Sequence, residues 1–403
     1  MSKAPKLLIV GGGPVGIVSA VAAAQAGFAV ELIEAANEID TRPRASTTHP
    51  STLEMIDRIG LFDRFVAEGL VAREFQFWDR ETSTLVATFD HEILRNDTRF
   101  PFVVQTEQHK LARMGLDKLR EYGVNVRFGV RAVACRQNTD RVLVDAETGE
   151  GPETLNADWV IAADGGRSAM RKSLGISFDG YTWPERFVVL TILDDMHAIN
   201  GYAFRSYFAG TGEWANLFKV AGDDGKGRWR AVFPTAVEET DEEALSDSAA
   251  MARLNRLYPL ERPYQIVHKN LYAVHQRVAE TFRIGRVLLA GDSAHVNNPI
   301  GGLGLNFGIH DAMDAVGTLS AVALRGEDPA MLDHYSRRRR FLNVKFVQEQ
   351  TVANKKRLEE KDTASRQASF DILRTTAADP ARARAFLLRS SLIDSVREAA
   401  EVA

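Results

Sequence analysis

The stretch KLLIVGGGPVGIVSAVAAAQAGFAVELIE, residues 6–34, decides the fold. An apolar run leads into Gly11, Gly13 and Gly16, which are spaced as G-x-G-x-x-G and open an Ala-rich helical pattern. A second apolar run follows and ends at Glu34. This order predicts a strand, a helix and a parallel strand, with glycines that permit a tight turn, a close pyrophosphate and close helix packing. The terminal acid is placed to bind the ribose of a dinucleotide.

A second stretch, RVLLAGDSAHVNNPIGGLGLNFGIHDAMD at residues 286–314, has a similar organisation. Its apolar run ends at Gly291 and Asp292, and a glycine-rich loop leads into a helical pattern that starts near Asn306. An Asp carboxylate suits a polyol hydroxyl, and a bare helix N-terminus suits negative charge. This stretch is therefore predicted to bind another part of a nucleotide-type ligand.

A third apolar run, residues 158–163, ends at Asp164 and is followed by a short helical pattern. The carboxyl ends of parallel strands meet at one edge of a sheet, where open α/β folds bind their ligands. We therefore expect the three strand ends to contact one elongated cofactor.

The region between residues 181 and 283 has a different pattern, in which apolar and polar residues alternate. Such alternation is typical of an antiparallel sheet with one covered face. The tryptophans Trp183, Trp214 and Trp229 lie here, and they suit either an aromatic ligand or the region's own core. We expect a second, smaller domain over the first, followed by helices from Asp314 to the end. The predicted fold class is α/β (α+β).

The composition excludes several classes of partner. The chain has 403 residues, 45% hydrophobic and 26% charged, which predicts two or three packed units of an ordinary globular protein. A net charge of −4 favours neither nucleic acid nor a membrane, and the arginine run 337–340 is interpreted as a solvated or salt-bridged helix face rather than a basic patch. The lone Cys135 permits no internal disulfide and fits a cytoplasmic location. The N-terminus shows no signal-peptide pattern.

Two other catalytic motifs are each excluded by one residue. A G-x-S-x-G nucleophile elbow around Ser293 requires glycine where His295 stands. An H-E-x-x-H zinc motif starting at His91 requires histidine where Arg95 stands. The nine histidines show no metal spacing, so no metal site is predicted.

Taken together, the three motifs resemble those of the single-component flavoprotein aromatic hydroxylases, which include 4-hydroxybenzoate hydroxylase, phenol hydroxylase and 3-(3-hydroxyphenyl)propionate hydroxylase. The resemblance implies bound FAD, a small aromatic substrate, NAD(P)H and O2 as co-substrates, and a homodimer. It implies a Rossmann-like FAD-binding domain at residues 1–73, 98–180 and 283–340, an inserted antiparallel-sheet substrate domain at 74–97 and 181–282, and C-terminal helices at 341–403.

The family's FAD contacts carry over to matching positions. They are Gly11, Gly13, Pro14, Val15, Gly16, Glu34, Arg44, Gln105, Asp164, Asp292, Pro299, Gly302, Gly304, Leu305 and Asn306. Gln105 matches a glutamine that opens a helix, and Gln108 is the rival for that role. Asp292 is expected at the ribityl or pyrophosphate part, and Asp164 at FAD or the nicotinamide cofactor. The N–H groups of Leu305 and Asn306 would face the flavin N1–C2=O edge, where a helix N-terminus stabilises reduced, anionic flavin.

The implied reaction passes a hydride from NAD(P)H to FAD. Oxygen then forms a flavin C4a-hydroperoxide, which a phenolic or heteroaromatic ring attacks, while the protein excludes water and positions the ring. Pro299 lies in the loop expected beside the reacting oxygen.

Candidate substrate residues come from the strands of the smaller domain. They are Tyr202, Arg205, Tyr207, Trp214, Trp229 and Arg230. Alternation places Arg205 and Tyr207 on one strand face, with Tyr202 and Phe208 on the other. A tyrosine can activate a phenol and an arginine can hold a carboxylate. An ordinary core or surface role is the alternative for each, and it is favoured for His275, a further candidate base.

Two other functions on this fold are kept as alternatives. One is a flavin-dependent reductase or dehydrogenase without oxygen insertion, which predicts turnover under nitrogen. The other is a flavin-binding sensor with little turnover, which predicts no stimulation by any phenol. A flavin-dependent halogenase is disfavoured because the chain has no W-x-W-x-I-P motif.

Overall fold

The computed structural model describes residues 4–44 and 46–402, and its central element is a six-stranded, mainly parallel sheet. In spatial order the strands are Arg283–Ile284, Val287–Leu289, Trp159–Ala162, Lys6–Val10, Ala29–Glu34 and Asn125–Phe128. The outermost pair, residues 283–289, is antiparallel. The three predicted apolar runs are neighbours, because Val10 pairs with Ala162 and Ala162 pairs with Leu289. The predicted convergence of their carboxyl ends is confirmed.

The apolar runs are continuous because both faces of this sheet are covered. Leu7, Leu8 and Ile9 are all fully buried, although successive side chains point to opposite faces. Helix Pro14–Ala26 packs closely on a neighbouring helix at Gly115, where a Cβ would lie 2.2 Å from Ile17 Cγ2. Burial on both faces makes this sheet the rigid support of its strand ends.

An eight-stranded sheet forms the second layer, as the alternating pattern predicted. In spatial order its strands are His295–Val296, Ile266–Ala279, Phe178–Ile192, Arg228–Pro234, Ala215–Val220, Arg205–Ala209, Glu74–Asp79 and Thr84–Asp90. One pair, Glu74–Asp79 with Arg205–Ala209, is parallel and the others are antiparallel. His295 pairs with Val278, so the third motif joins the two large sheets directly.

Two three-stranded antiparallel sheets complete the strands. One contains Thr47–Thr48, Val103–Gln105 and Leu70–Ala72 in that spatial order, and the other contains Gly151–Ala157, Val142–Thr148 and Arg131–Gln137.

The helices surround the parallel sheet and form the C-terminal part of the chain. The α-helices are Pro14–Ala26, Pro50–Arg58, Phe62–Ala67, Gln108–Glu121, Ala169–Ser173, Met196–Asn200, Asp241–Leu245, Asp247–Leu257, Leu303–Leu319, Ala330–Asn343, Glu349–Leu358, Thr363–Ala378, Pro380–Ser390 and Ile393–Ala399. Short 3-10 turns are found at His91–Leu94 and Gly291–Ser293, and π-helical turns at Ser320–Leu324 and Val344–Gln348. None of the helices within residues 4–44 and 46–402 has the length and apolar character needed to span a membrane.

Two local expectations were wrong. The pattern of Ser51 followed by Glu54 three residues later predicts a helix over residues 52–59 with Ser51 as its N-cap. The helix instead begins at Pro50 with His49 as its N-cap, and the Ser51 hydroxyl donates to Ser391 O at 2.8 Å. The apolar pattern of residues 71–77 predicts a single strand. The structure divides it between Leu70–Ala72 and Glu74–Asp79, which belong to different sheets. Both errors arise from contacts distant in sequence. The arginine run, interpreted from the sequence as a solvated or salt-bridged helix face, is salt-bridged: Arg338 pairs with Asp314, and Arg339, which is only 3% exposed, pairs with Asp311. The division of the chain into domain ranges stays a prediction.

Candidate cofactor cleft and substrate pocket

The first glycine-rich turn has contacts that only glycine permits. Gly11 has φ 112° and donates its N–H to Ile33 O at 2.8 Å. A Cβ on Gly16 would lie 1.9 Å from Gly11 O, so this position holds the helix against the turn. Gly13 differs, since a Cβ there would meet no atom within 4 Å. The open space at Gly13 is what an approaching pyrophosphate requires.

Val15 joins the first motif to the third. Its Cγ2 would lie 2.9 Å from a Cβ on Gly291 and 2.7 Å from a Cβ on Gly308. Helix Pro14–Ala26 and helix Leu303–Leu319 therefore approach each other beside the strand ends. Neither helix has a side-chain hydrogen bond at its N-cap. Their N-terminal N–H groups are left to bind negative charge.

Glu34 ends its strand as predicted, and its carboxylate already holds the glycine-rich turn. Oε2 accepts a hydrogen bond from Gly12 N–H at 2.5 Å, and Oε1 accepts one from Ala36 N–H at 2.8 Å. A carboxylate has about four acceptor positions, so a ribose hydroxyl would share these oxygens with the backbone.

Asp292 lines an open cleft. Its side chain is exposed, yet protein encloses it on the other sides, and this desolvation raises the pKa of its carboxyl against the opposing effects of His295 and Arg44. Among the described residues its carboxylate accepts no hydrogen bond from a neighbour, so it is available to a ligand. Arg44 is also exposed, and it lies 3.1 Å from Asp40.

Asp164 lies at the neighbouring strand end with one unused oxygen. Oδ2 accepts a hydrogen bond from Met170 N–H at 3.1 Å, whereas Oδ1 is buried and has no partner within residues 4–44 and 46–402. Burial raises the pKa of this carboxyl. Buried polar atoms are usually paired, so the free oxygen indicates a position for a ligand hydroxyl.

Asn306 locks the loop that leads into helix Leu303–Leu319. Its Nδ2 donates to Thr47 O at 2.8 Å and to Gly302 O at 2.6 Å, and its Oδ1 accepts from His49 N–H at 2.8 Å. The side chain is fully engaged in the fold, so only its backbone is available to a cofactor.

The first turn of the same helix is open. Gly302 is the N-cap with φ 68°, and no side chain caps the helix. Gly304 and Leu305 are partly exposed in this turn. Their N–H groups have no intrahelical acceptor, which leaves a donor surface for an anionic ring edge.

Pro299 shapes the loop just before this helix. Its carbonyl accepts the Gly302 N–H at 2.9 Å, which closes a turn. The preceding Asn298 is fully buried, and its N–H and Nδ2 donate to Gln276 Oε1 at 3.1 and 3.2 Å. Gln276 lies in strand Ile266–Ala279, so the eight-stranded sheet positions the loop.

A buried ionic group that the motif analysis missed supports the third strand end. Asp311 accepts from Gly291 N–H at 3.0 Å and from Arg339 Nε at 2.7 Å, and it lies 2.7 Å from His295 Nε2. Desolvation opposes ionisation here, but Arg339 and His295 outweigh it and lower the pKa of Asp311. The sequence signal was available in the arginine run and in Asp311, which lies one turn after Gly308 on the same face of helix Leu303–Leu319.

Gln105 does not open a helix, which corrects the expectation above. It ends strand Val103–Gln105, and Gln108 is the first residue of the helix. Gln105 is nevertheless fully buried, with Oε1 accepting from Thr47 Oγ1 at 2.8 Å and Nε2 unpartnered among the described residues. Its free amide hydrogens make it a stronger contact candidate than its place in the chain suggested.

A second cavity lies between the eight-stranded sheet and the C-terminal helices. It is lined by Phe75, Phe77, Arg205, Tyr207, Ile300, Gly301, Gln350, Asn354, Arg357, Leu358, Phe386 and Ser390. The wall is strongly aromatic, with Phe77 and Tyr207 stacked at 5.3 Å between ring centroids. Ile300 and Gly301 belong to the loop that enters helix Leu303–Leu319, so one loop borders both this pocket and the cofactor cleft.

Arg205 and Tyr207 form the polar part of the pocket wall. Arg205 Nε donates to Tyr207 Oη at 2.9 Å, as expected for residues on one strand face. The guanidinium lies over the Phe75 ring at 4.5 Å and is 3% exposed. Its Nη1 has no partner, and no described carboxylate lies within salt-bridge distance. A buried cation without a counter-ion is costly, so a ligand group is expected to pair with it.

The other candidates lie away from this pocket. Tyr202 packs against Phe208 at 5.1 Å on the opposite strand face, within a separate core that also contains Trp229. Trp214 packs against Phe187 at 4.8 Å. Tyr202, Trp214 and Trp229 are therefore not among the residues that line the cavity.

Two further polar candidates have protein partners. Arg230 donates to Arg44 O at 2.7 Å, which ties the sheet to the cofactor cleft. His275 is exposed and lies 2.9 Å from Thr182 Oγ1. Within the described part of the chain, no group of three or more His, Cys, Asp or Glu residues is arranged to hold a metal ion.

Several pocket residues were not found from the sequence. Gln350, Asn354 and Arg357 come from helix Glu349–Leu358, and Phe386 comes from helix Pro380–Ser390. The sequence predicts these segments only as helical, and nothing in their spacing indicates that they close a pocket.

The comparisons with known proteins agree with this geometry. A family model described as FAD binding domain matches residues 5–350. The chain is 32% identical over 390 residues to para-nitrophenol 4-monooxygenase of Pseudomonas sp. (strain WBC-3), covering 95% of this chain and 94% of that protein. It is 32% identical over 353 residues to 6-hydroxy-3-succinoylpyridine 3-monooxygenase of Pseudomonas putida (strain DSM 28022 / S16), covering 85% and 87%. The crystal structure of p-nitrophenol 4-monooxygenase from Pseudomonas putida DLL-E4 matches with a TM-score of 0.90 and 30% identity, covering 97% of this chain and 99% of that one.

The match to the FAD-binding family model and to these relatives identifies the chain as a flavoprotein monooxygenase. The chain belongs to the FAD-binding domain family, among the single-component aromatic hydroxylases. The resemblance carried by the three motifs is confirmed, and so is the enzyme class. The cleft fits FAD: Gly13 leaves room for its pyrophosphate, and Asp292 and Asp164 offer unused acceptors for its hydroxyls.

Proposed function

We propose that this enzyme uses NAD(P)H and O2 to hydroxylate a phenolic or heteroaromatic ring held in the pocket between the eight-stranded sheet and the C-terminal helices. The single observation that carries the proposal is the loop 299–302. Ile300 and Gly301 line the pocket, and Gly302 caps the helix whose N–H groups face the cofactor cleft. A ring in the pocket would therefore lie next to the reactive end of the flavin.

FAD supplies the redox and oxygen chemistry when it is bound. The chain would hold its pyrophosphate at Gly11, Gly13 and the N-terminus of helix Pro14–Ala26. The ribose and ribityl hydroxyls would be held at Glu34 and Asp292. The start of helix Leu303–Leu319 would stabilise negative charge on the reduced ring.

Tyr207 is proposed to orient and activate the substrate hydroxyl. Because its oxygen accepts a hydrogen bond from Arg205 Nε, its own hydrogen is free to be donated to a substrate oxygen. That hydrogen bond, with the nearby guanidinium, favours the phenolate over the phenol. A phenolate ring is the better nucleophile, so the pair would promote attack by the ring.

The aromatic walls are proposed to exclude water. Phe75, Phe77 and Phe386 enclose the pocket, and Phe386 stacks on Phe89 at 4.5 Å. A dry pocket would limit unproductive release of peroxide when FAD is bound.

The two relatives supply the expected substrate classes. One is named for para-nitrophenol and the other for 6-hydroxy-3-succinoylpyridine, so both a benzenoid phenol and a hydroxypyridine belong in the test. A homodimer in the cytoplasm is part of the same proposal, and size-exclusion chromatography with light scattering measures the oligomeric state.

The test measures NAD(P)H oxidation by the flavin-loaded protein across phenols, hydroxybenzoates and hydroxypyridines, with peroxide and hydroxylated product quantified in parallel. Strong stimulation with one product per oxygen consumed supports hydroxylation. Turnover of the same compounds under nitrogen would instead identify a dehydrogenase. Bound flavin without stimulation by any compound in the panel would contradict the proposal and favour a sensor.

A further inference from the structure

The loop 299–302 borders both the cofactor cleft and the aromatic pocket, and side chains of other elements hold much of its backbone. Within the described chain it has one backbone-to-backbone hydrogen bond, from Gly302 N–H to Pro299 O at 2.9 Å. From outside the loop, His49 Nε2 donates to Gly301 O at 2.9 Å. A loop held in this way takes the position that the surrounding side chains impose.

Asn298, the residue before this loop, connects it to Gln276 of strand Ile266–Ala279. Asn298 Oδ1 accepts a hydrogen bond from Ile300 N–H at 3.1 Å. The N–H and Nδ2 of Asn298 in turn donate to Gln276 Oε1 at 3.1 and 3.2 Å. Asn298 is fully buried and Gln276 is 4% exposed, so breaking these bonds would leave buried donors unsatisfied. The position of Ile300 therefore depends on the Gln276 amide.

The amide nitrogen of Gln276 reaches the C-terminal helices. Nε2 donates to Gln348 Oε1 at 2.6 Å and to Thr351 Oγ1 at 3.0 Å. Gln348 ends the π-helical turn Val344–Gln348, a kind of turn that is frequent at functional sites. Thr351 lies in helix Glu349–Leu358, which lines the pocket. Gln276 thus joins the loop to this helix through the two ends of one amide.

The Gln276 amide satisfies its neighbours in one orientation only. A rotation that exchanged Oε1 and Nε2 would place a donor against the Asn298 N–H, which can only donate. It would also place an acceptor against Gln348 Oε1, which can only accept. Gln348 is itself fixed, since its Nε2 donates to Asn343 Oδ1 at 3.1 Å and to Val296 O at 3.3 Å. This buried network therefore has a single arrangement, and it rigidifies the loop.

We infer that Gln276 is a positioning residue for hydroxylation. It fixes the loop 299–302 relative to helix Glu349–Leu358, and thereby a ring in the pocket relative to the cofactor cleft. The inference rests on the proposed function and adds a residue that is not among those lining the pocket. A misplacement of about 1 Å can lower a reaction rate on the order of 100-fold, so a relaxed loop should cost product formation more than substrate binding.

Gln276→Met removes both polar ends of the amide and keeps an unbranched side chain of similar length. Gln76→Met is the matched control. Gln76 is also a buried glutamine of the eight-stranded sheet, 8% exposed, and its Oε1 accepts a hydrogen bond from Ala203 N–H at 3.0 Å. Ala203 follows Tyr202, which packs in the separate core. The control therefore loses a comparable buried hydrogen bond in another part of the same sheet.

The first measurement is hydrogen–deuterium exchange of the protein without substrate. In Gln276→Met the amides of Asn298 and Ile300 are expected to exchange about 10- to 100-fold faster, as for loss of buried hydrogen bonds. In Gln76→Met they should exchange at the wild-type rate.

The second measurement is product and peroxide formed per NAD(P)H consumed with the best substrate. In Gln276→Met the product per NAD(P)H should fall about 10-fold and peroxide should rise, while the KM for the substrate changes less than about 3-fold. Gln76→Met should keep the wild-type ratio.

Thr351→Val tests the helix side of the network. It removes one acceptor of the Gln276 amide and keeps the branched shape of a fully buried side chain. Product per NAD(P)H should fall about 3-fold, less than in Gln276→Met, because one hydrogen bond is lost instead of several. The double variant should be no worse than Gln276→Met alone, since both changes break one network.

Unchanged amide exchange in Gln276→Met would overturn the inference, and so would a wild-type ratio of product to NAD(P)H in that variant. Equal losses in Gln276→Met and Gln76→Met would also overturn it, because they would show a general loosening of the sheet. Failure of the proposed function has a different result: the wild type itself would form no hydroxylated product from any compound in the panel. The exchange measurement would still show whether Gln276 holds the loop.

Discussion

The cofactor cleft and the proposed substrate pocket adjoin each other along the loop 299–302, but they are built in different ways. The cleft is made mainly of backbone: glycine turns, helix N-termini and strand ends held in register. The pocket is made of side chains from separate strands, the loop and two helices. Binding of a ligand by the backbone requires particular residue types, above all glycine, at fixed spacing, so a sequence motif can predict it. A side-chain pocket restricts only volume and charge, which many sequences satisfy.

Two glycine substitutions should separate the structural and ligand-binding parts of the cleft. Gly16→Ala places a methyl group 1.9 Å from Gly11 O and is expected to destabilise the protein by on the order of 5 kcal/mol. Gly13→Ala meets no atom within 4 Å at a φ of −68°, so it should fold normally yet fail to retain FAD. Urea unfolding of the apoproteins and the flavin content after purification measure the two effects. Equal loss of stability in both variants would contradict the distinction.

Asp311→Asn tests the buried support beneath the third strand end. It leaves Arg339 without its counter-ion, and we expect a loss of about 3–5 kcal/mol in the free energy of unfolding. Asp314→Asn is the matched control, since its pair with Arg338 is more exposed and should contribute about 1 kcal/mol or less. Chemical denaturation followed by tryptophan fluorescence measures both. A small effect of Asp311→Asn would mean that the ionic group is not a structural support.

Tyr207→Phe tests the polar wall of the pocket against the opposite strand face. Loss of the hydroxyl should lower kcat for the best substrate by about 100-fold, the lower end of general acid–base contributions, with FAD content unchanged. Tyr202→Phe removes a hydroxyl from a tyrosine in the separate core and should keep wild-type turnover. Steady-state kinetics with product analysis compares them. Unchanged turnover in Tyr207→Phe would remove this residue from the catalytic group.

Asp292→Ala should weaken FAD retention without harming the fold. The carboxylate makes no hydrogen bond within the described chain, so its removal costs only ligand contacts, about 10- to 100-fold in the Kd for FAD. Asp63→Ala, an exposed acid on a distant helix, is the control. Flavin fluorescence titration of the apoproteins gives both constants, and a fully yellow Asp292→Ala protein would show that the cofactor lies elsewhere.

Buried histidines beside both regions predict a dependence of stability on acid pH. Burial, with the charge of Arg205 for His91 and of Arg339 for His310, lowers each pKa from 6.5 to about 3. Both side chains are then neutral in the folded protein but protonated in the unfolded chain below pH 6.5. Stability should therefore fall as pH drops from 6.5 towards 3, by about 1.4 kcal/mol per pH unit for each histidine. Urea midpoints of His91→Gln between pH 6.5 and 4.5 should show a shallower slope than the wild type, and an unchanged slope would contradict this assignment.

The sequence predicted the backbone features that form the cofactor cleft more accurately than the contacts between side chains distant in the chain. Gly11, Gly16 and the apolar runs predicted the parallel sheet and the meeting of three strand ends. The start of the helix at Pro50 was missed because Ser51 bonds to Ser391, which is far away in the chain. The break between Ala72 and Glu74 was missed because local alternation does not show which sheet a strand joins.

The sequence by itself determined the cofactor cleft, since glycine spacing, strand-end acids and apolar runs are local features that only a few backbone arrangements can satisfy. It also determined that Arg205 and Tyr207 share a strand face, because strand periodicity is local too. Only the tertiary structure decided that Arg357 and Phe386 line the aromatic pocket, that Asp311 holds Gly291, and that Tyr202 faces another core. Those contacts join segments far apart in the chain, and no local pattern records which distant surface a helix will cover.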